Sequence, residues 1–297
     1  MSELGKFEVE QEARHQAGAS RRSTAYGEVI NRYLGSFSYT DPYTAVPAAG
    51  PAEPATVPGT VVVGVDDTAG DHVAVDHAAI EAGLRGHALL IAHAGTPPRD
   101  SQLLRRLTRR VRERAPELAV TTRITVGMGA SEVLLSAAAG TDLIVVGHRH
   151  GPLAGVLRHS VADRVADRHP GPVLVVGVSD AVAGPEPAGR PLIVGIDGSG
   201  TSAEATSFAL CEARIRGCTV VLLHVTDEPA GVPDRSERIG GVAVLRRTVV
   251  GDPAAELVEA STRAAALVIG RAAGRHRLGP VGRFVLHHGH CPVFLAG

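Results

Sequence analysis

The chain has no tryptophan, three cysteines and a single lysine, Lys6, among its 297 residues. Cys211, Cys218 and Cys291 form no C-x-x-C pair, and so sparse and odd a count excludes a disulfide scaffold and fits a reduced, cytoplasmic compartment. Charge of one sign is also missing: 30 basic residues stand against 31 acidic ones, so no global field favours nucleic acid or an anionic membrane. Apolar runs such as Leu143-Ile-Val-Val-Gly147 are far too short to span a bilayer. The first residues, MSELGKFEVEQEARHQ, lack the apolar core of a signal peptide. Aromatics make up only 3% of the chain, and all four tyrosines (Tyr26, Tyr33, Tyr39, Tyr43) lie near its start. What is abundant is Val, Leu, Ile and Ala, the usual filling of a parallel α/β core. At 44% hydrophobic and 21% charged, a chain of this length is expected to fold as two domains.

The sequence repeats itself. Val61-Val-Val-Gly64-Val-Asp66-Asp67-Thr68 is echoed by Leu192-Ile-Val-Gly195-Ile-Asp197-Gly198-Ser199 at an offset of 131, which still holds between His93 and His224. Gly127 to Glu132 matches Gly251 to Glu256 at 124, Leu143 to Gly147 matches Ala266 to Gly270 at 123, and Pro172-Val matches Pro292-Val at 120. An ordered series of blocks with a slowly falling offset is a duplicated domain with deletions in the second copy. In copy 1, β-type runs at 60–66, 87–93, 119–126, 142–147 and 172–176 alternate with helical spacing at 71–85, 100–115, 130–140 and 160–168. Copy 2 repeats the strands near 191–197, 219–225, 242–249, 266–270 and 292–295, with helices at 201–216 and 253–264. Its second helix is truncated. The short segment between His224 and Val242 includes Pro229, Pro233, Gly240 and Gly241 and leaves room for a turn or two of helix at most. The reading divides the chain into an N-terminal extension at 1–58, copy 1 at 59–178, a Gly/Pro linker at 179–190 and copy 2 at 191–297. The extension is expected to be largely disordered except for a helix at 24–37. There Tyr26, Val29, Ile30, Tyr33, Leu34 and Phe37 fall on one stripe, which either docks on copy 2 in place of its lost helix or serves as a partner-binding segment.

Strand 1 ending in V-G-x-D-x-[ST], an L-I-V-V-G fourth strand, and a glycine-bearing loop and helix before the final C-P-V-type strand, all found twice, resemble the universal stress protein family in its tandem form. The resemblance covers 60–177 and 191–297. It implies an α/β fold of two Rossmann-like domains of the adenine nucleotide alpha hydrolase-like (HUP) kind, each a five-stranded parallel sheet in the order 3-2-1-4-5. Ligands of such sheets settle at the switch point, between strands 1 and 4.

ATP-binding members of that family resemble G-x-x-G, nine residues, then G-[ST] in the loop after strand 4. Copy 1 keeps Gly147 and Ser160, but His150 and His159 replace the other two glycines and one residue is missing. Copy 2 keeps Gly270 and Gly279, but Ala273 fills the second glycine place, Pro280 replaces Ser/Thr and the loop is shorter still than in copy 1. The resemblance therefore implies an ATP or AMP site, with any Mg arriving on the nucleotide, built in copy 1 from Val65, Asp66, Thr68, Gly147, Arg149, His150, Gly151, His159, Ser160 and Val161. The copy 2 counterparts are Asp197, Ser199, Gly270, Gly274 and Gly279. Simpler roles remain open: Asp66 and Asp197 as turn caps, Ser160 as a helix N-cap. The cluster His287-His288-Gly289-His290-Cys291 lacks a second ligand group at zinc spacing, so no metal is expected.

The function implied is a non-enzymatic stress-response or regulatory protein with adenine-nucleotide binding better preserved in copy 1. A nucleotide-independent interaction scaffold is one alternative. A nucleotide-dependent enzyme is another, although neither an H-x-G-H nor an S-G-G-x-D-S motif follows strand 1. Expected partners are the nucleotide, an internal pseudo-dimer of the two copies through their final strands, a homodimer and an unidentified regulatory protein.

Overall fold

The computed structural model describes residues 59–68, 70–138, 143–148, 160–177, 180, 189–228, 233–271 and 278–297. The extension at 1–58, with its expected helix at 24–37, lies outside the described residues. Copy 1 runs β1 (Thr60–Val65), α1 (Asp71–Arg85), β2 (Ala88–Ala94), α2 (Ser101–Arg114), β3 (Val120–Thr125), α3 (Ala130–Ala137), β4 (Leu143–His148), α4 (Val161–Arg168) and β5 (Val173–Gly177). Copy 2 runs β6 (Leu192–Ile196), α5 (Gly200–Arg216), β7 (Val220–Thr226), β8 (Arg235–Ile239), β9 (Val242–Val250), α6 (Pro253–Ser261), β10 (Ala266–Gly270), α7 (Pro280–His288) and β11 (Val293–Ala296).

The central strands are β-branched and buried on both faces, as parallel strands covered by helices must be: Val61, Val62 and Val63 are all at 0% exposure. α1 and α5 both stop at a glycine with positive φ, Gly86 at 63° and Gly217 at 67°, the left-handed conformation that closes a helix C-terminus. α2 buries the stripe Leu103, Leu104, Leu107 and Val111 and turns most of its arginines outward, so the basic helix is amphipathic. One face of the sheet packs on α1, α2 and α5, the other on α3, α4, α6 and α7. Among the described residues no helix is long and apolar enough to cross a membrane.

The eleven strands among the described residues form one sheet, ordered β3-β2-β1-β4-β5-β11-β10-β6-β7-β9-β8. Copy 1 has the order 3-2-1-4-5 with every pair parallel. The copies meet through their last strands, which pair antiparallel with Leu174 opposite Phe294, so neither β5 nor β11 is left as a free edge.

Copy 2 keeps the same parallel core but carries one strand more than expected. Where the sequence leaves room for a turn or two of helix, β8 instead pairs antiparallel with β9, Ile239 opposite Val242. The reason is the turn. Gly240 and Gly241 both have positive φ, 55° and 87°, the backbone of a two-residue hairpin loop that twists with its strands. Among the described residues copy 2 is therefore a six-stranded mixed sheet.

Candidate functional site

Between the carboxyl ends of β1 and β4 lies a cavity of about 320 Å³. Its wall includes Val65, Asp66, Thr68, Gly147, Ser160 and Val161, six of the residues that the family pattern nominates in copy 1. Arg149, His150, Gly151 and His159 belong to the segment joining β4 to α4 and lie outside the described residues, as does Gly274.

The turn after β1 is tightly organised. The Asp66 amide donates to both Asp71 carboxylate oxygens at 3.2 Å, the Thr68 amide donates to Asp71 at 3.2 Å, and the Thr68 hydroxyl donates to Asp66 at 2.7 Å. Asp67 takes a left-handed φ of 62°, a conformation Asp tolerates better than most residues, and Arg106 of α2 reaches it at 3.1 Å. Burial pushes the Asp71 carboxyl above its ordinary value, and the neighbouring Asp66 charge adds to the shift. Behind the turn, His93 Nδ1 hydrogen-bonds the Val65 carbonyl at 2.7 Å while its Nε2 lies 3.4 Å from Asp100. Asp100 is held below the ordinary carboxylate range chiefly by the Thr96 amide. Asp66 itself is exposed at the lip of the cavity.

The opposite lip is the N-terminus of α4. Ser160 is its N-cap: the Asp163 amide donates to Ser160 Oγ at 3.1 Å, and the Ser160 amide donates back to Asp163 Oδ2 at 3.0 Å. This capping box leaves a carboxylate beside the helix start, where a phosphate would otherwise be most welcome.

The wall also contains His148 and His287, neither of which is among the residues that the family pattern nominates. His148 Nε2 and His287 Nδ1 are 3.0 Å apart, and their rings stand edge to face. His287 belongs to α7 of copy 2, so the copy 1 cavity is completed by the other half of the chain. The available signal was the repeat itself. At an offset of 123, His148 corresponds to Arg271, and each side chain crosses to the last helix of the opposite copy. Arg271 is 1% exposed and donates to the carbonyls of Ala166, His169 and Gly171 at 2.6–2.9 Å, at the C-terminal end of α4.

The corresponding place in copy 2 is organised differently. Asp197 accepts from the Ser199 amide at 3.0 Å, from the Ser199 hydroxyl at 2.6 Å and from the Ser202 hydroxyl. The Ser199 and Ser202 hydroxyls hold the Asp197 carboxyl down to about 2. Ser199 caps α5. A Cβ at Gly270 would lie 2.7 Å from the Thr201 carbonyl oxygen, so the start of α5 closes directly on the end of β10. In copy 1, among the described residues, the nearest atom to a Cβ at Gly147 is the Ala74 methyl, at 3.8 Å. Gly279 caps α7 through its backbone only, and Pro280 follows. Among the described residues no group of three or more His, Cys, Asp or Glu side chains is placed to hold a metal ion.

Comparison with known proteins agrees with this fold. A model of the Universal stress protein family matches residues 98–177 and 189–239. Universal stress protein Rv2623 of Mycobacterium tuberculosis is 30% identical over 284 residues, covering 80% of this chain and 95% of that protein. Universal stress proteins Mb2028c of Mycobacterium bovis and Rv2005c of M. tuberculosis are 33% identical over 183 residues, and the match spans 52% of this chain and 61% of their length. A crystal structure of a universal stress protein from Archaeoglobus fulgidus superposes with a TM-score of 0.61 at 12% identity, covering 80% of this chain and 97% of that one, a likeness of fold. The chain belongs to the universal stress protein family.

Proposed function

We propose that this is a non-enzymatic stress-response protein that binds an adenine nucleotide in copy 1 and not in copy 2. The observation that carries the reading is the open cavity at the β1/β4 switch point, set against the closed contact of Gly270 with Thr201 in copy 2. The residues present fit the nucleoside end of such a ligand. The exposed Asp66 carboxylate offers acceptors for ribose hydroxyls or an exocyclic amine, while Val146, Leu134 and Ala92 give an apolar wall for a flat base. Gly147 lets the ligand approach the backbone, and the α4 N-terminus faces the cavity. Asp66, Asp71 and Asp163 make the described wall acidic, so a polyphosphate requires either the basic residues between His148 and Ser160 or a cation carried on the nucleotide.

Titration calorimetry of the full chain with adenosine, AMP, and ATP with and without Mg tests the reading. Binding that is lost in Gly147→Leu and kept in Gly270→Ser supports it. Binding that survives Gly147→Leu overturns it. A second reading rests on the capping box. Asp163 already occupies the helix start as the protein's own anion, which suits a scaffold that works without nucleotide. No heat with any of the four ligands favours that scaffold.

A further inference from the structure

Copy 1 covers the β2–β3 part of its sheet with α2; copy 2 has no helix in the equivalent place among the described residues. Strand register defines that place. Ile91 pairs with Thr122 in copy 1, and the repeat turns this pair into Leu222 and Arg246 in copy 2. Val244, Arg246 and Thr248 therefore stand where Val120, Thr122 and Ile124 face α2 in copy 1. What copy 2 has instead of a helix is a groove of about 640 Å³. Leu222 is its buried floor, Ile196, His224 and Thr248 are half-buried walls, and Arg235 and Arg246 form the side toward β8 and β9. α5 is the only described helix on this face of copy 2.

We propose that residues 24–37 of the same chain dock in this groove as a helix, in the place that α2 occupies in copy 1. The segment matches α2 in length. α2 buries Leu103, Leu104, Leu107 and Val111 on one stripe; in the segment Tyr26, Val29, Ile30, Tyr33, Leu34 and Phe37 fall on one stripe as well. On a helix, Glu28 and Arg32 project from the opposite side, one turn apart, as suits a solvated face. Tyrosine suits a groove with a polar upper wall, since its ring packs while its hydroxyl stays within reach of water or of Thr248. An arginine such as Arg246 beside the rings adds a cation–π attraction.

Reach is sufficient. β1 and β7 are six strands apart in the sheet order, about 29 Å at the usual spacing, whereas the stretch from 38 to 59 spans up to about 73 Å when extended. The tether also favours the chain's own segment over a second molecule's, because it holds the segment at an effective concentration in the millimolar range. An isolated helix of this length is only marginally stable in water, so the groove supplies what the segment lacks.

The chain carries its own probe: it has no tryptophan, and every tyrosine lies in the extension. Tyrosine emission of the full-length protein therefore reports on the extension alone. Acrylamide quenching is expected to be well below that of a free 20–45 peptide, because Tyr26 and Tyr33 are shielded. Ile30→Asp lies outside both folded copies and should release the segment without unfolding them. It is expected to raise quenching to the peptide level and to speed amide exchange in β7 and β9 about tenfold, leaving β2 and β3 unchanged. Wild-type tyrosines that quench like the peptide overturn the proposal. So does β7 and β9 exchange indifferent to Ile30→Asp. Protection of β7 and β9 that rises with protein concentration overturns docking within one chain and assigns the groove to a second copy.

Discussion

Glu81 on α1 and Arg216 on α5 form an ion pair between the two copies, with side chains 4% and 3% exposed. The pair belongs to a closed ring. Arg85 binds Glu81 and reaches Glu212 at 2.5 Å, and Arg216 binds Glu212. Glu212 and Arg216 are the repeat counterparts of Glu81 and Arg85, so the ring is the duplication folded back upon itself. Burial alone would raise the Glu81 carboxyl, but Arg216 and Arg85 outweigh it and hold it below its ordinary value. Glu81→Gln leaves two buried guanidinium groups sharing one carboxylate and is expected to cost about 3–5 kcal/mol in chemical denaturation. Replacing all four residues together by Leu or Met should cost far less, since no uncompensated charge remains. A mild Glu81→Gln effect would mean that water reaches the ring.

Arg271, the repeat counterpart of His148, marks an asymmetry between the copies. Its guanidinium satisfies carbonyls at the C-terminal end of α4, the end at which a helix favours positive charge, and burial holds its pKa below the ordinary arginine value. Arg271→Met keeps the packing volume but orphans those carbonyls. A loss of about 2–4 kcal/mol is expected from several broken charge-assisted bonds. Arg271→Lys should recover only part, because an ammonium cannot reproduce the planar fork. Equal stability of the Lys variant and the wild type would show that charge alone matters there.

Much of this architecture is legible in the chain. The repeat offsets locate the strands, and the residues after Val63 and Val146 that converge on the copy 1 cavity carry the family's marks. The β8–β9 hairpin is less legible because Pro and Gly also break helices, whereas Gly240-Gly241 between Arg235–Ile239 and Val242–Val250 is itself a hairpin signal. The His148–His287 contact is invisible to local pattern. It joins distant parts of the chain through a two-fold relation that exists only once β5 and β11 pair. Ser160 shows the limit of motif reading: it lines the copy 1 cavity, while its hydroxyl is engaged with Asp163, a residue the motif does not mention.

The two strand-4 glycines should respond differently to the same change. Gly147→Ala puts a methyl group at ordinary contact distance from Ala74, so the fold is expected to lose less than about 1 kcal/mol. Gly270→Ala drives a methyl group onto the Thr201 carbonyl oxygen, which is backbone at the start of α5 and cannot swing aside. Overpacking of this kind costs about 1–3 kcal/mol. Thermal unfolding of the two variants side by side measures the difference. Similar losses in both would mean that α5 shifts freely at its N-terminus, and copy 2 would then have latent room for a ligand.

The turns after β1 and β6 differ by one substitution of chemistry that pH should expose. The amide of Asp66 donates to the Asp71 carboxylate; at the same repeat position in copy 2, the amide of Asp197 donates to the Ser202 hydroxyl at 2.9 Å. Copy 1 thus holds two carboxylates where copy 2 holds one, and their pKa values move apart: Asp71 is raised from 3.8 by burial, and Asp197 falls to about 2. A depressed carboxyl contributes stability that is present above its unfolded value near 3.8 and lost as pH falls toward about 2. A raised carboxyl acts with the opposite sign: its contribution is complete below 3.8 and is lost as pH rises through the folded value. Asp197→Asn is therefore expected to lower the melting temperature at pH 7 and to lose this effect near pH 2. Asp71→Ser, which gives copy 1 the hydroxyl found in copy 2, should be best tolerated at neutral pH and relatively worst in acid. It also removes a negative charge from the cavity wall, so an anionic nucleotide should bind the variant at least as tightly as the wild type. Melting curves from pH 2 to pH 7 decide the matter. Parallel pH profiles for wild type and Asp71→Ser would mean that Asp71 titrates as an ordinary surface carboxylate and that its burial beneath the turn carries no electrostatic cost.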